Sequence, residues 1–279
     1  ILYRLVGSEM CIRDSHIMVP RRGVAIHINA FNFPIWGMLE KIAVNFMAGV
    51  AAVVKPSEYT SFLTTAMVKE IIKSGILPKG SLQIIPGLGR GILDHVDHRD
   101  VVTFTGSGAT GKILKSHPNI LAHSVPFNME ADSLNACVLG KDAVPGTAEF
   151  DLFVKEVHKE MTVKTGQKCT AVRRVLVPEN TIDLVQEALI SRLGKTAIGN
   201  PDNKEVRMGA LATKIQVERV KENVELLMKS QEKVYGSLEK IPLIDAQFEK
   251  GCFFSPILFR NEQPLSLIHI SEPTRRYRI

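Results

Sequence analysis

The sequence predicts an α/β protein, with a Rossmann-like parallel-sheet domain followed by a second α/β domain. Three observations predict it. Short, nearly continuous Val/Ile runs alternate with amphipathic stretches of helical length, as buried parallel strands and their crossover helices do. A glycine-rich turn, Gly106 to Gly111, follows one such run and opens a helical pattern. After Glu130 the alternation starts afresh, which puts a domain boundary near residues 131–136.

Each element has its own signal. "GVAIHINAF" (23–31) reads as a strand, and "PIWGMLEKIAVNFMAG" (34–49) as a helix opened by Pro34 and closed near Gly49. "VAAVVKP" (50–56) is a second strand, and "TSFLTTAMVKEIIKSG" (60–75) a helix with a hydroxyl start and a glycine end. "SLQIIPG" (81–87) and "DVVTFTG" (100–106) are two more strands, with a helical turn near Gly91–His95 between them. "ATGKILKSH" (109–117) opens a helix and "AHSVPFNME" (122–130) gives a fifth strand. In the second half "NACVLG" (135–140) and "RRVLVP" (173–178) are strand-like. Residues 148–166, 180–194 and 213–231 carry helical periodicity, and "CFFSPILF" (252–259) reads as a last strand. There is no internal repeat and no low-complexity segment.

The two ends read as translated adapter DNA. Codons for Glu9–Ser15 are, in a shifted frame, the reverse complement of codons for Leu265–Ser271, and the relation continues outward to Leu5–Ser8 and Glu272–Arg275. A natural basic tail does not explain an antisense relation. Residues 1–15 and 265–279 are set aside as adapter-derived, and 16–264 is read as an interior fragment, expected to be inactive alone. Within it, 16–133 is expected to be the cofactor domain and 134–264 the catalytic domain, both partial.

Setting the ends aside removes five of 35 basic and three of 29 acidic residues, leaving 30 against 26. A balance of +4 with no block of like charge gives no case for nucleic-acid or membrane-surface binding. No apolar run reaches the roughly 18 residues a membrane span needs. Cys11 goes with the adapter. Cys137, Cys169 and Cys252 remain, an odd number with wide spacing and no CxxC, so a disulfide framework or metal site is not expected and a reducing, cytoplasmic compartment is.

The glycine turn admits three readings. As Gly106-x-Gly108-x-x-Gly111 after a strand it is a dinucleotide fingerprint, with Glu130 placed 19 residues on as a ribose-binding acid. As Gly106-x4-Gly111-Lys112 it is one residue short of a P-loop, because Ile113 offers no oxygen to a magnesium ion. It is also a plain strand-to-helix turn. The positive readings share one physical statement, that backbone N–H groups at a helix N-terminus favour a phosphate.

Four pieces stand in order: "FNFP" (31–34), "VVKPSE" (53–58), "FTGSGATG" (104–111) and "GQKC" (166–169), with Glu130 between the last two. In this order and spacing the chain resembles the aldehyde dehydrogenase superfamily over about residues 19–260. The stretches "HINAFNFPIWGMLEKIA", "EADSLNACVLG" and "EFDLFVKEVHKEMTVKTGQKCTAVRR" are similar to one branch. That branch is the aldehyde dehydrogenase domain of the bifunctional ring-opening protein of phenylacetate degradation. Its relative acting on 3,4-dehydroadipyl-CoA semialdehyde in benzoate degradation is the alternative. The run Glu130-Ala131-Asp132-Ser133, where most of the superfamily carries glycines, is part of that likeness.

The resemblance implies an NAD- or NADP-dependent oxidation of a CoA-linked aldehyde, in an enzyme that forms homo-oligomers when full length. A thiolate turns a carbonyl carbon into a hydride donor by forming a thiohemiacetal, which becomes a thioester. The resemblance makes Cys169 that thiolate, Asn32 and the Cys169 N–H the donors to the oxyanion, and Glu130 the general base for thioester hydrolysis. It assigns Lys55 and Glu58 to ribose and adenosine and sets Gly106, Ser107 and Gly111 along the cofactor, which displaces the ribose reading of Glu130. His27 and Asn29 are expected to be structural, and Lys168, Arg173 and Arg174 to favour the thiolate. Glu58 would repel a 2′-phosphate, favouring NAD, whereas the phenylacetate branch is associated with NADP. The superfamily's later Glu-x-Phe-Gly-Pro stretch is absent. An acylating dehydrogenase is disfavoured by a base at 130, and a non-catalytic nucleotide-binding homologue by the joint presence of Cys169, Asn32 and Glu130.

Overall fold

The Val/Ile runs of the first half become five parallel strands. The structure, a computed structural model, describes residues 19–261; the two ends read above as adapter-derived, Cys11 among them, lie outside the described residues. The chain divides into two compact units between Ala131 and Asp132.

The first unit runs β1 (Val24–Ile28), α1 (Trp36–Met47), β2 (Ala51–Lys55), α2 (Ser61–Lys73), β3 (Leu82–Ile84), a 3-10 turn (Ile92–His95), β4 (Val101–Gly106), α3 (Gly108–Lys115), α4 (Pro118–Ala122) and β5 (Phe127–Ala131). The sheet order is β3-β2-β1-β4-β5. Alternate strand residues feed two cores, which is why the strands read as continuous apolar runs. Ala52 and Val54 pack with Met38, Ile42 and Val68 of α1 and α2, while Ile26 and Val102 pack with Leu93, Val96, Ile120 and Val125. The chain moves outward from β1 to β3 and then returns to place β4 on the other side of β1. The carboxyl ends of β1 and β4 thus flank the switch point where α/β sheets hold ligands.

Two expectations shift here. The helix after "FNFP" begins at Trp36, with Pro34 in the preceding turn. The fifth strand begins at Phe127, not Ala122: residues 118–122 form α4, with Pro118 in its first turn and His117 as its cap, and residues 123–126 connect it to the strand. Ser124, at φ 49°, then turns the chain toward β5.

The second unit runs β6 (Asn135–Val138), α5 (Ala148–Thr162), a 3-10 turn (Val163–Gly166), β7 (Val172–Leu176), α6 (Ile182–Gly194), α7 (Lys214–Leu227), β8 (Glu232–Tyr235) and β9 (Leu258–Arg260). β6 and β7 are parallel and β8 and β9 antiparallel. Phe150, Phe153, Val154 and Val157 of α5 pack on Val185 and Leu189 of α6 and on Leu139. Thr147 caps α5, and Glu149 and Asp151 in its first turn complement the helix dipole. β8 was not expected, since Glu232-Lys233-Val234-Tyr235 carries too short an apolar signal. Of the expected strand 252–259 only its end pairs, as Leu258 and Phe259 against β8. The helix expected through Gly166 stops at Thr162, because Lys164 and Thr165 adopt left-handed backbone at φ 54° and 55°.

Candidate active site

In the first unit, strand register puts the expected residues on one edge. Ile28 pairs with Lys55 and with Phe104, and Thr105 pairs with Glu130. Lys55, Gly106 and Glu130 therefore stand at the carboxyl ends of β2, β4 and β5, and Asn32 lies four residues beyond β1.

Helix α2 and the residue that precedes it hold the Asn32 loop. Thr60 donates to the Phe31 carbonyl (3.1 Å) and the fully buried Thr64 to the Pro34 carbonyl (3.2 Å). Two threonines thus brace the loop on both sides of Asn32, a role the sequence does not announce.

Lys55 Nζ pairs with Glu58 Oε2 at 3.0 Å. Burial pushes the Glu58 carboxyl up, but hydrogen bonds from its own backbone and from Lys55 outweigh that, and its pKa lies below the ordinary value. Gly89, at φ +60°, packs on the Lys55 stem: a Cβ there would sit 2.8 Å from Lys55 Cγ. The "GLGRG" segment is a loop, and its middle glycine shapes the Lys55 site.

Ser107 is the N-cap of α3, accepting from the Thr110 N–H (3.3 Å) and donating to Thr110 Oγ1 (2.9 Å). Gly106 is required because a Cβ would meet the Phe104 ring at 2.6 Å. At Gly111 a Cβ would meet Met129 Sδ at 2.4 Å. The third glycine thus lets α3 lie against β5, bringing its N-terminal N–H groups to the end of β4. A helix N-terminus at the switch point, closed to side chains by packing, fits the phosphates of a dinucleotide.

Glu130 is exposed and accepts from Thr105 Oγ1 at 3.4 Å. Thr105 in turn accepts from Lys41 Nζ (2.6 Å), which also donates to Asn29 Oδ1 (2.9 Å). Burial lowers the Lys41 pKa, against the opposing pull of Glu40 and Glu130. His27, fully buried, hydrogen-bonds Thr103 Oγ1 (2.7 Å) and the Asn45 amide, and burial followed by the Lys41 charge lowers its pKa to about 4. Lys41 and Asn45 were missed as participants. Their signal was available: with Met38 and Ile42 they fall on the inward face of α1, where a polar residue needs a partner.

In the second unit Cys169 is exposed, whereas Cys137 and Cys252 are half-buried. Cys169 follows three consecutive left-handed residues, Lys164, Thr165 and Gly166 (φ 66°). Left-handed backbone is costly for a β-branched residue, on the order of 1–3 kcal/mol. Thr165 Oγ1 holds it there by bonding the Gly209 and Ala210 carbonyls (both 3.2 Å). Gln167 Oε1 accepts from the Ala212 N–H at 3.0 Å.

The basic residues near Cys169 are committed to structure. Lys168 pairs with Glu160 of α5 (2.7 Å), both largely buried, while Arg173 donates to the Gly166 carbonyl (2.8 Å) and Arg174 to that of Leu134 (2.6 Å). Lys164 is also coupled to this site: burial and Lys168 lower its pKa, and Cys169 raises it. Among the described residues no group of three or more His, Cys, Asp or Glu could hold a metal ion, and no helix is long and apolar enough to cross a membrane.

Comparison with known proteins gives a consistent result. The model of the aldehyde dehydrogenase family matches residues 7–273. The chain is 43% identical over 260 residues to 3,4-dehydroadipyl-CoA semialdehyde dehydrogenase of Aromatoleum evansii, covering 93% of this chain and 50% of that one. It is 28% identical to α-ketoglutaric semialdehyde dehydrogenase of Bacillus subtilis, covering 86% and 48%. Among solved structures it is similar to betaine aldehyde dehydrogenase of Staphylococcus aureus in complex with NAD+. That match has a TM-score of 0.76 and 27% identity, covering 85% of this chain and 46% of that one. The chain thus spans about half the length of the curated relatives it matches.

Proposed function

The chain belongs to the aldehyde dehydrogenase family, and from that premise we propose that it oxidises a CoA-linked semialdehyde to the carboxylate, with NAD or NADP as oxidant. The observation that carries the proposal is Cys169: the exposed cysteine of the described residues, preceded by a left-handed run in which Thr165 is held by the Gly209 and Ala210 carbonyls. An inert cysteine needs no such loop.

In this reading the Cys169 thiolate adds to the aldehyde carbon. The oxyanion that forms accepts from the Asn32 amide and the Cys169 backbone N–H. Bound nicotinamide supplies the hydride acceptor, and the dinucleotide would be held by Lys55, Glu58, Ser107 and the α3 N-terminus. The sulfur is left as an acyl thioester. Glu130 takes a proton from the water that attacks this thioester, releasing the carboxylate and the thiolate. Thr105 and Lys41 orient the Glu130 carboxylate. Residues 16–133 are thus assigned to cofactor binding and 134–264 to covalent chemistry. The working enzyme is assigned to the cytoplasm and to a homo-oligomer.

The substrate class rests on the 43%-identical relative, whose name specifies a CoA-linked semialdehyde. The sequence likeness to the phenylacetate branch supports a second, larger CoA semialdehyde. The test is reduction of NAD+ and NADP+ by the intact enzyme carrying this sequence, with each CoA semialdehyde and with the same aldehydes lacking CoA. A kcat/KM at least about 10-fold higher for the CoA forms, about 1.4 kcal/mol of transition-state binding, supports the class. Equal rates with and without CoA would overturn it.

A further inference from the structure

We infer that Asn135 is a positioning residue for the nucleophile, fixing the peptide plane that follows Cys169. The inference rests on the assignment of Cys169 as nucleophile. Asn135 Nδ2 donates to the Cys169 carbonyl at 2.6 Å and to the Ala171 carbonyl at 3.1 Å. No assigned role in the reaction uses this side chain.

A break in strand register accounts for the reach. Asn135 pairs with Val172 but Ala136 pairs with Arg174, so Arg173 is an extra residue in β7. Such bulges bend a strand and re-aim its side chains. This one serves the segment Gly166–Ala171 from both sides. Arg173, the inserted residue, holds the Gly166 carbonyl at 2.8 Å, and Asn135, opposite the bulge, holds the carbonyls of Cys169 and Ala171.

Geometry then transmits the restraint to the sulfur. The direction of a Cα–Cβ bond is set by the two peptide planes flanking that residue. The plane before Cys169 is fixed through the Lys168 carbonyl, which accepts from the Ala171 N–H at 3.3 Å. Because a peptide is trans, the Cys169 N–H points away from that carbonyl, and among the described residues none accepts from it. The plane after Cys169 is fixed by Asn135. Without Asn135 one of the two planes that aim both Cβ and the oxyanion donor is free to rotate.

Asn135→Ala removes both donors. Asn135→Asp keeps the shape but turns a carboxylate toward two carbonyl oxygens, an arrangement relieved only when the acid is protonated and can donate. The experiment is the pre-steady-state burst of reduced cofactor in the intact enzyme carrying this sequence, for Asn135→Ala, Asn135→Asp and Cys169→Ser, with cofactor Kd and Tm measured on each. The expected result for Asn135→Ala is a burst rate lower by about 10- to 100-fold, the scale of a misplaced reacting group, with cofactor Kd within about two-fold. Asn135→Asp should be equally slow at about pH 8 and should recover toward wild type as pH falls to about 6, a profile that loss of stability alone does not produce.

If Asn135→Ala fails to fold, the pH profile of Asn135→Asp decides. A wild-type burst rate in folded Asn135→Ala, or an Asn135→Asp rate that keeps a constant ratio to wild type across pH, overturns the positioning role. An active Cys169→Ser overturns the nucleophile assignment itself, a distinct result.

Discussion

Lys41 Nζ lies 2.6 Å from Thr105 Oγ1, a link from α1 to β4 that ends, through the Thr105 hydroxyl, on Glu130. Helix α1 is thereby tied to the residue assigned as general base. In the intact enzyme carrying this sequence, Lys41→Met is expected to lower steady-state turnover about 10-fold, a fraction of the 10²–10⁴ that a positioned base contributes. Cofactor affinity should stay within about two-fold, since Lys55 and the α3 N-terminus are untouched. Thr105→Val, which keeps the shape and removes the hydroxyl, should show the same pattern. Steady-state and equilibrium binding measurements check both; loss of cofactor binding in either variant would place the network with the dinucleotide instead.

Glu130 itself had two readings, ribose acid and general base. Glu130→Gln is expected to abolish turnover while a first burst of reduced cofactor survives, because hydride leaves before water is needed. A dinucleotide Kd weakened on the order of 100-fold, about 2.7 kcal/mol, would instead make Glu130 the ribose ligand.

These residues illustrate what the sequence disclosed and what it did not. The parallel strands were legible because both sheet faces are covered, so Ala52 and Val54 on one side and Ile26 and Val102 on the other make unbroken apolar runs. The motif residues were legible from spacing, which places Lys55, Gly106 and Glu130 at strand ends. The late start of β5 was hidden because "AHSVPFNME" has strand-like composition, although Ala122 ends α4 and Ser124, at φ 49°, turns the chain before Phe127. The left-handed run before Cys169 was hidden because Lys164 and Thr165 are poor left-handed formers, and what holds Thr165 is a pair of carbonyls some 45 residues away in sequence. The Lys168 pairing was hidden for a related reason: its nearness in sequence to Cys169 said nothing of Glu160 on α5.

His27 makes folding stability depend on pH. Its folded pKa of about 4 lies below the ordinary 6.5, so between those values the unfolded chain binds a proton that the folded chain does not. Stability is therefore full above about pH 6.5 and is lost as pH falls toward 4, by about 3 kcal/mol from this residue alone at the rate of 1.36 kcal/mol per pKa unit. His27→Gln should be less stable at pH 7, through lost contacts with Thr103 and Asn45, but should show a shallower loss between pH 7 and 4. Denaturant unfolding at both pH values checks this, and an unchanged slope would reject the assignment.

Cys169 is expected to be the fastest thiol of the described three. It is exposed and coupled to the Lys164 cation, whereas burial raises the Cys137 pKa and Cys252 is half-buried between Gly251 and Phe253. A thiolate is the reactive form, so access and a nearby cation work in the same direction. In the intact enzyme carrying this sequence, iodoacetamide at neutral pH should label Cys169 at least about 10-fold faster than the other two, with sites read by peptide mass, and activity should fall in step with that label. Lys164→Gln should slow labelling of Cys169 without changing that of Cys137, which separates electrostatic activation from simple exposure. Equal labelling of all three thiols in the folded protein, or activity retained once Cys169 is fully labelled, would return Cys169 to the class of structural cysteines.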